Sequence, residues 1–224
     1  MKKSILVTGA SGNLGSAVVK KFQSENYRVL ATARNAEGLE GAEVAAVDLT
    51  DEAAVNAYIQ QITTGDADIQ AAVLLVGAFA MGDLQETDAA ALQKMYKLNF
   101  ETSYFVVRAL LPYFEKNGGG QFMLIGSRPG FQAKDALHSV AYGLSKSLVM
   151  YLAEIINAYG KGKGIKASVI VPSTIDTPQN RSAMPNADAS KWVSAETVAD
   201  SIHFLLTDTG KQLRETVLKV YNES

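Results

Sequence analysis

Short, nearly uninterrupted apolar runs recur along this chain with a helix-length stretch after most of them, and that alternation constrains the fold more than any single residue does. The runs are SILVT, YRVLATA, EVAAVD, AAVLLVG, GQFMLIG, IKASVIVP and ETVLKVY. A strand with one solvated face alternates apolar with polar residues, whereas a strand that is apolar throughout is covered on both faces. Between the runs, helical spacing spans 14–24, 51–63, 88–116, 140–159 and 195–207. This pattern predicts an α/β chain, residues 1–224 forming a single domain: a doubly wound parallel sheet of about seven strands with helices on both faces. With 224 residues and 47% hydrophobic content it can bury one substantial core. Three irregular stretches, Arg34 to Gly41, Ser127 to Ser139 and Pro172 to Ser194, each follow a strand. Open parallel sheets bind ligands outside the carboxyl ends of their strands, so these stretches are the site candidates.

Composition removes several classes of function. The formal charge is 21 − 23 = −2, so no global basic field draws in nucleic acid or an acidic membrane. The absence of cysteine excludes disulfides, thiol nucleophiles and Cys-ligated metals, and with only His138 and His203 no metal site is expected. The start MKKSILVTGASG breaks its apolar run too early for a signal peptide. The longest apolar run, AAVLLVGAFAM, falls far short of the roughly 18 residues of a membrane span. A soluble, cytoplasmic protein acting on a small molecule is the expectation.

Between the first strand and the first helix stands TGASGNLG, with glycines at Gly9, Gly12 and Gly15. A bare turn needs one such residue. Three indicate backbone amides lying against something bulky and negative, because glycine permits angles and contacts that a side chain blocks. In this strand-turn-helix setting the amides and the positive helix end suit a pyrophosphate. At the end of the second strand, VLATARN places Arg34 where a carboxylate would bind the ribose hydroxyls of NAD and an arginine pairs with the extra phosphate of NADP. Such a contact is worth roughly 1.5–3 kcal/mol, so NADPH is expected to be preferred over NADH unless Arg34 is an ordinary solvated charge. Asp48, in VDLTD, is placed either to receive an adenine amino group or to cap the helix that begins near Asp51.

Tyr142 and Lys146 stand four apart at the start of a helix and share a face. An ammonium beside a phenol favours the phenolate and lowers a pKa that starts near 10. The opposite face, Leu144, Leu148, Tyr151, Leu152, Ile155 and Tyr159, is expected to pack.

Taken in order, TGASGNLG, VDLTD, Asn99 in KLNFETSYFVVRALLPYF, Ser127 in MLIGSRPGF, the Tyr142 and Lys146 pair, and VIVPSTIDTP resemble the short-chain dehydrogenase/reductase superfamily across nearly the whole chain. The resemblance implies a single-domain Rossmann fold and hydride from a nicotinamide. It implies Tyr142 as proton donor to a substrate carbonyl and Ser127 as the group steadying the carbonyl oxygen. Lys146 would lower the Tyr142 pKa and bind the nicotinamide ribose, and Asn99 would hold a water of the proton relay. The implied cofactor contacts are Gly9, Ser11, Gly12, Asn13, Leu14, Gly15, Arg34, Asp48, Leu49, Gly77, Tyr142 and Lys146, with Pro172, Ile175 and Thr177 toward the carboxamide end. Three departures stand out: the glycines follow G-x-x-G-x-x-G instead of G-x-x-x-G-x-G, LLVGAFA replaces the usual Asn-Asn-Ala-Gly, and Ser127 lies about two residues further from Tyr142 than usual.

The last third, from VIVPSTIDTP to ADSIHFLL, is similar to the dihydropteridine reductases. That likeness marks 172–194 as a substrate lid in which Arg181, Met184 and Trp192 either touch substrate or merely pack. Those enzymes generally lack a serine corresponding to Ser127, and the mammalian ones prefer NADH. The expected function is therefore an NADPH-dependent carbonyl reductase. The alternatives are a reductase of quinonoid dihydropterin and an NADP-sensing regulator without turnover; retention of Asn99, Ser127, Tyr142 and Lys146 together favours catalysis. The helix ALQKMYKLNFETSYFVVRALLPYF is apolar on more than one face, which predicts a homodimer or homotetramer.

Overall fold

The computed structural model describes residues 2–65 and 67–223. The strands are β1 (Lys3–Thr8), β2 (Arg28–Thr32), β3 (Glu43–Ala45), β4 (Asp68–Leu74), β5 (Gly120–Ile125), β6 (Ile165–Pro172) and β7 (Val217–Val220). The helices are α1 (Asn13–Ser24), α2 (Glu52–Thr63), α3 (Ala89–Tyr96), α4 (Thr102–Lys116), α5 (Arg128–Phe131), α6 (Val140–Gly160), α7 (Pro178–Ala183) and α8 (Ala195–Phe204). Among the described residues the seven strands form one parallel sheet in the order β3-β2-β1-β4-β5-β6-β7.

The apolar strand runs divide their side chains between two cores, as the period of two requires. Leu6, Ala72, Leu74, Phe122, Leu124 and Val169 face the layer of α2, α4 and α6, where they meet Tyr58, Leu110 and Leu152. Ile5, Val7, Ala71, Val73, Met123 and Ile170 face α1 and α8, where they meet Val18, Phe22 and Ile202. The sequence order reverses on either side of β1, and the crevice this creates lies at the carboxyl ends of the strands.

Several boundaries differ from the sequence expectation. β3 keeps only Glu43–Ala45, since Ala46 to Asp48 leave the sheet and line a cleft. The helix expected over 88–116 is interrupted by a π turn, Lys97–Glu101, which contains Asn99. The irregular stretches also hold structure: α5 and a 3-10 turn at Ala133–Ala136 in the second, α7 and a 3-10 turn at Ala189–Lys191 in the third. Local caps set these starts, with Asp51, Asp88, Ser127, Thr177 and Ser194 each accepting an amide of the first turn.

Candidate active site

A cleft of about 690 Å³ opens at the topological switch. Of the sequence-predicted residues it is lined by Gly9, Ser11, Gly12, Arg34, Asp48, Leu49 and Gly77; Thr32, Ala33, Val47, Val76, Leu98 and Thr102 complete much of its wall. These additions are small or aliphatic residues, at or just past strand ends except for Leu98 in the π turn and Thr102 at the start of α4, and they carry no motif of their own. The glycines of the turn have separate jobs. Gly9 takes a left-handed φ of +66° and its carbonyl accepts the Gly12 amide at 3.1 Å. A Cβ on Gly15 would stand 2.2 Å from the Gly9 carbonyl oxygen, so Gly15 packs the start of α1 against the turn. Asn13, Leu14 and Gly15 all belong to the first turn of α1 and do not line the cleft; Leu14 packs against the α1 and α8 core.

Gly12 caps α1 with no side-chain hydrogen bond, which leaves the positive helix end available to an anion in the cleft. Arg34 lines the cleft, is exposed, and has no ion-pair partner among the described residues. Asp48 does not cap α2. That role falls to Asp51, while Asp48 accepts the Thr50 amide at 2.9 Å and the Thr50 hydroxyl at 2.7 Å, bonds that hold its carboxyl below the usual carboxylate range. The Gly-rich turn, the open helix end and the unpaired arginine fit a dinucleotide carrying an extra phosphate.

The four chemistry candidates come from separate elements. Ser127 ends the segment after β5, Tyr142 and Lys146 share the first turns of α6, and Asn99 enters from the π turn. Asn99 is buried; its Oδ1 accepts the Ala78 amide at 2.7 Å, and its Nδ2 donates to the Ala78 carbonyl at 3.0 Å and to Ser145 Oγ at 2.9 Å. Its amide thus ties the chain after β4 to α6. This is the support that LLVGAFA lacks, supplied from a neighbouring element. A Cβ on Gly77 would fall 2.7 Å from Asn99 Oδ1 and 3.3 Å from Lys146 Nζ, which places both groups at the cleft's inner end.

Lys146 is buried, donates to the Ile125 carbonyl at 2.8 Å, and has its pKa pushed down to about 8 by burial. The Ser127 hydroxyl lies near enough to the Tyr142 phenol to favour its ionised form, and Ser127 Oγ accepts the Gly130 amide at 3.2 Å as the cap of α5. The net lowering of the Tyr142 pKa expected beside Lys146 is not found, because burial outweighs it. Burial raises it above the ordinary phenol value, and the nearby Ser127 hydroxyl draws it partly back. Desolvation opposes both the phenolate and the ammonium, so the two groups move toward neutrality together.

One neighbour escaped the sequence reading. Phe79 sets its ring edge-on to Tyr142, with centroids 5.0 Å apart and planes at 74°. Its signal was the departure LLVGAFA itself, an aromatic just beyond the fourth strand.

In 172–194 the candidates are largely committed to structure. Pro172 ends β6, Ile175 pairs with Val193, and Thr177 caps α7 by accepting the Asn180 amide at 3.1 Å; none of the three lines the cleft. Arg181 forms a two-pronged pair with Asp176 at 2.6 and 2.8 Å, Trp192 is buried, and Met184 is exposed. Asn222, from beyond β7, donates to the Trp192 carbonyl at 3.1 Å and the Ser190 carbonyl at 3.4 Å.

Comparison with known proteins agrees with this geometry. The family described as short chain dehydrogenase matches residues 3–188. The chain is 26% identical to YmfI, an uncharacterised oxidoreductase of Bacillus subtilis, over 243 aligned positions covering 98% of each protein. It is 24% identical to the dihydropteridine reductase of Dictyostelium discoideum over 205 positions, covering 90% of this chain and 87% of that one. Among solved structures, ElxO with NADP bound superposes with a TM-score of 0.89 at 25% identity, covering 98% of this chain and 97% of that one. A short-chain type dehydrogenase/reductase from Mycobacterium ulcerans, 21% identical, shares the fold with a TM-score of 0.88 over 99% of this chain and 89% of its own.

Proposed function

The chain belongs to the short-chain dehydrogenase family, and from that membership we propose that this oxidoreductase uses NADPH to reduce a small carbonyl substrate, with Tyr142 as its proton donor. The observation that carries the proposal is the nearness of the Ser127 hydroxyl to the Tyr142 phenol, four residues before the Lys146 whose ammonium reaches the cleft wall at Gly77. Two hydroxyls converging from different elements match the two lone pairs of one carbonyl oxygen.

NADPH, when bound, supplies the hydride. Ser127 donates to the carbonyl oxygen and holds it in place. Tyr142 gives its proton to that oxygen as negative charge develops; a phenol raised by burial is fully protonated near neutral pH and so stands ready as donor. The Lys146 ammonium, beside Gly77 and Asn99, stabilises the phenolate left behind and is placed to meet a ribose hydroxyl. The α1 end and the turn hold the pyrophosphate, and Arg34 takes the additional phosphate. The NADP carried by ElxO, similar over nearly the full length, supports that choice. Residues 172–194 would serve as the lid, and Pro172, Ile175 and Thr177, on the segment that leaves the carboxyl end of β6, would meet the carboxamide end of the cofactor.

Tyr142→Phe is expected to abolish turnover while leaving the Kd for NADPH within about twofold, because a phenol proton contributes to chemistry far more than to cofactor binding. Retained activity would show that another group is the acid. A second reading, reduction of a quinonoid dihydropterin, is favoured by the Dictyostelium relative. A paired assay of NADPH and NADH consumption on aldehydes, ketones, quinones and quinonoid dihydropterin separates the two.

A further inference from the structure

Phe79 is a large aromatic held at the catalytic phenol yet left mostly uncovered. Its ring meets that of Tyr142 at 5.0 Å and 74°, while 61% of the residue remains exposed. The chain on either side prevents it from retreating. Asn99 grips Ala78 through both the amide and the carbonyl, at 2.7 and 3.0 Å. Beyond it, Gly82 donates to the His138 carbonyl and accepts the Val140 amide, both at 2.9 Å, which fastens this loop to the start of α6. Phe79 is therefore pinned between two anchors and preorganised against Tyr142.

From this we infer that Phe79 determines substrate choice: it and Tyr142 form an aromatic corner that selects flat, conjugated carbonyl compounds, aryl aldehydes and aryl ketones, over saturated ones of equal size. The inference rests on the reductase role of Tyr142 given above. Two rings meeting near a right angle present one face and one edge. A flat aromatic ring lies along the face and meets the edge with matching quadrupole signs; a saturated ring is thicker and has no quadrupole to match. The rest of the opening suits such a guest. Among the described residues of the two loops that flank Tyr142, most carboxylates are hydrogen-bonded locally: Asp83 accepts the Gln85 and Glu86 amides, Glu86 accepts the Asp83 amide and Asp88 caps α3, while Asp135 Oδ2 is buried 3.6 Å from Arg128 Nε. The apolar side chains of Met81, Leu84 and Leu137 on the same loops are exposed.

Acetophenone and cyclohexyl methyl ketone have the same carbon count and differ in planarity, so they test the corner directly. With NADPH, kcat/KM for acetophenone should exceed that for the cyclohexyl ketone by about tenfold, the scale of one aromatic pair. Phe79→Leu, which keeps apolar bulk and removes the ring, should bring the two within about twofold, whereas Phe79→Trp should keep the preference. Titration of each ketone into protein saturated with NADP+, a combination that cannot react, reads the same preference without chemistry. Equal preference in the wild type and Phe79→Leu by both measurements, or a wild-type preference for the cyclohexyl ketone, overturns the role of Phe79. A binding preference that follows the ring, with neither ketone turned over, upholds Phe79 and counts against the reductase assignment alone.

Discussion

At the residue scale the site turns on two groups that burial pushes in opposite directions. The Tyr142 phenol is raised and the Lys146 ammonium is lowered to about 8. In the proposed reduction Tyr142 would be left as a phenolate, which Lys146 would stabilise only while it carries its charge. The rate constant for reduction at saturating NADPH should therefore be flat at lower pH and fall as pH rises through about 8. In Lys146→Met it should be low with no such descent, and an identical descent there would assign the titration elsewhere. The same shift acts on stability. Lys146 has a folded pKa below its ordinary 10.5, so between about 8 and 10.5 the unfolded chain binds more protons and stability rises with pH; below about 8 the penalty is fully present. At 1.36 kcal/mol per pH unit, less the lost bond to the Ile125 carbonyl, Lys146→Met should be about 2 kcal/mol more stable at neutral pH. Denaturant unfolding at neutral pH checks this, and a destabilised variant contradicts it. Arg34→Asp should move selectivity toward NADH, as the ratio of kcat/KM for the two cofactors would show. The sequence displayed Tyr142, Lys146 and Arg34 because their spacing and position carry chemistry. Phe79 showed only within the departure LLVGAFA, since an exposed aromatic in a loop has no periodicity to single it out, and the direction of the Tyr142 shift, which depends on burial across elements, did not show at all.

At the element scale the Gly-rich turn was legible because strand, turn and helix are contiguous, but the division of labour among its glycines was not. Gly15 faces the Gly9 and Ala10 backbone, where a Cβ would stand 2.2 Å from one carbonyl oxygen and 2.7 Å from the Ala10 Cα. Backbone cannot step aside as a flexible side chain does. Gly15→Ala should therefore cost about 1–3 kcal/mol of stability through overpacking and weaken NADPH binding, whereas Gly12→Ala, with its nearest atom at 3.4 Å, should weaken binding with little change in stability. Thermal unfolding beside a cofactor titration distinguishes them, and equal stability losses would show that the two glycines do the same work. The π turn was hidden for a different reason: apolar residues continue on both sides of Asn99, so the spacing over 88–116 looked unbroken. In 172–194, α7 has six residues, too few for a helical period to emerge from the sequence.

At the scale of the whole molecule, the alternation of runs was enough to anticipate the sheet, since every strand covered on both faces had to be flanked by helices. What it could not say was which helix faces meet the sheet and which meet nothing in this chain. On α6, Leu152 is buried as expected, but Leu144, Leu148, Tyr151, Ile155 and Tyr159 are exposed, correcting their assignment to packing within the chain. Leu92, Tyr96 and Tyr104 on α3 and α4 are exposed as well. An apolar cleft of about 270 Å³ lies between Leu92, Tyr96, Leu144 and Leu148 and reaches Ser145, the residue that accepts from Asn99. Surface of this kind is what a second copy of the chain would cover, and a homodimer or homotetramer follows as the expectation. An interface across a two-fold axis meets itself, so one substitution alters it twice. Removing the burial of Leu148 and inserting a carboxylate should cost about 2 kcal/mol per copy, or roughly a thousandfold in the dissociation constant for the pair. Light scattering at micromolar protein should accordingly give a multiple of the chain mass for the wild type and the chain mass for Leu148→Asp. Because the same cleft reaches Ser145, that variant should also lose turnover, with activity recovering as protein concentration is raised. A wild-type protein that scatters as a monomer at micromolar concentration would leave this face without a partner copy.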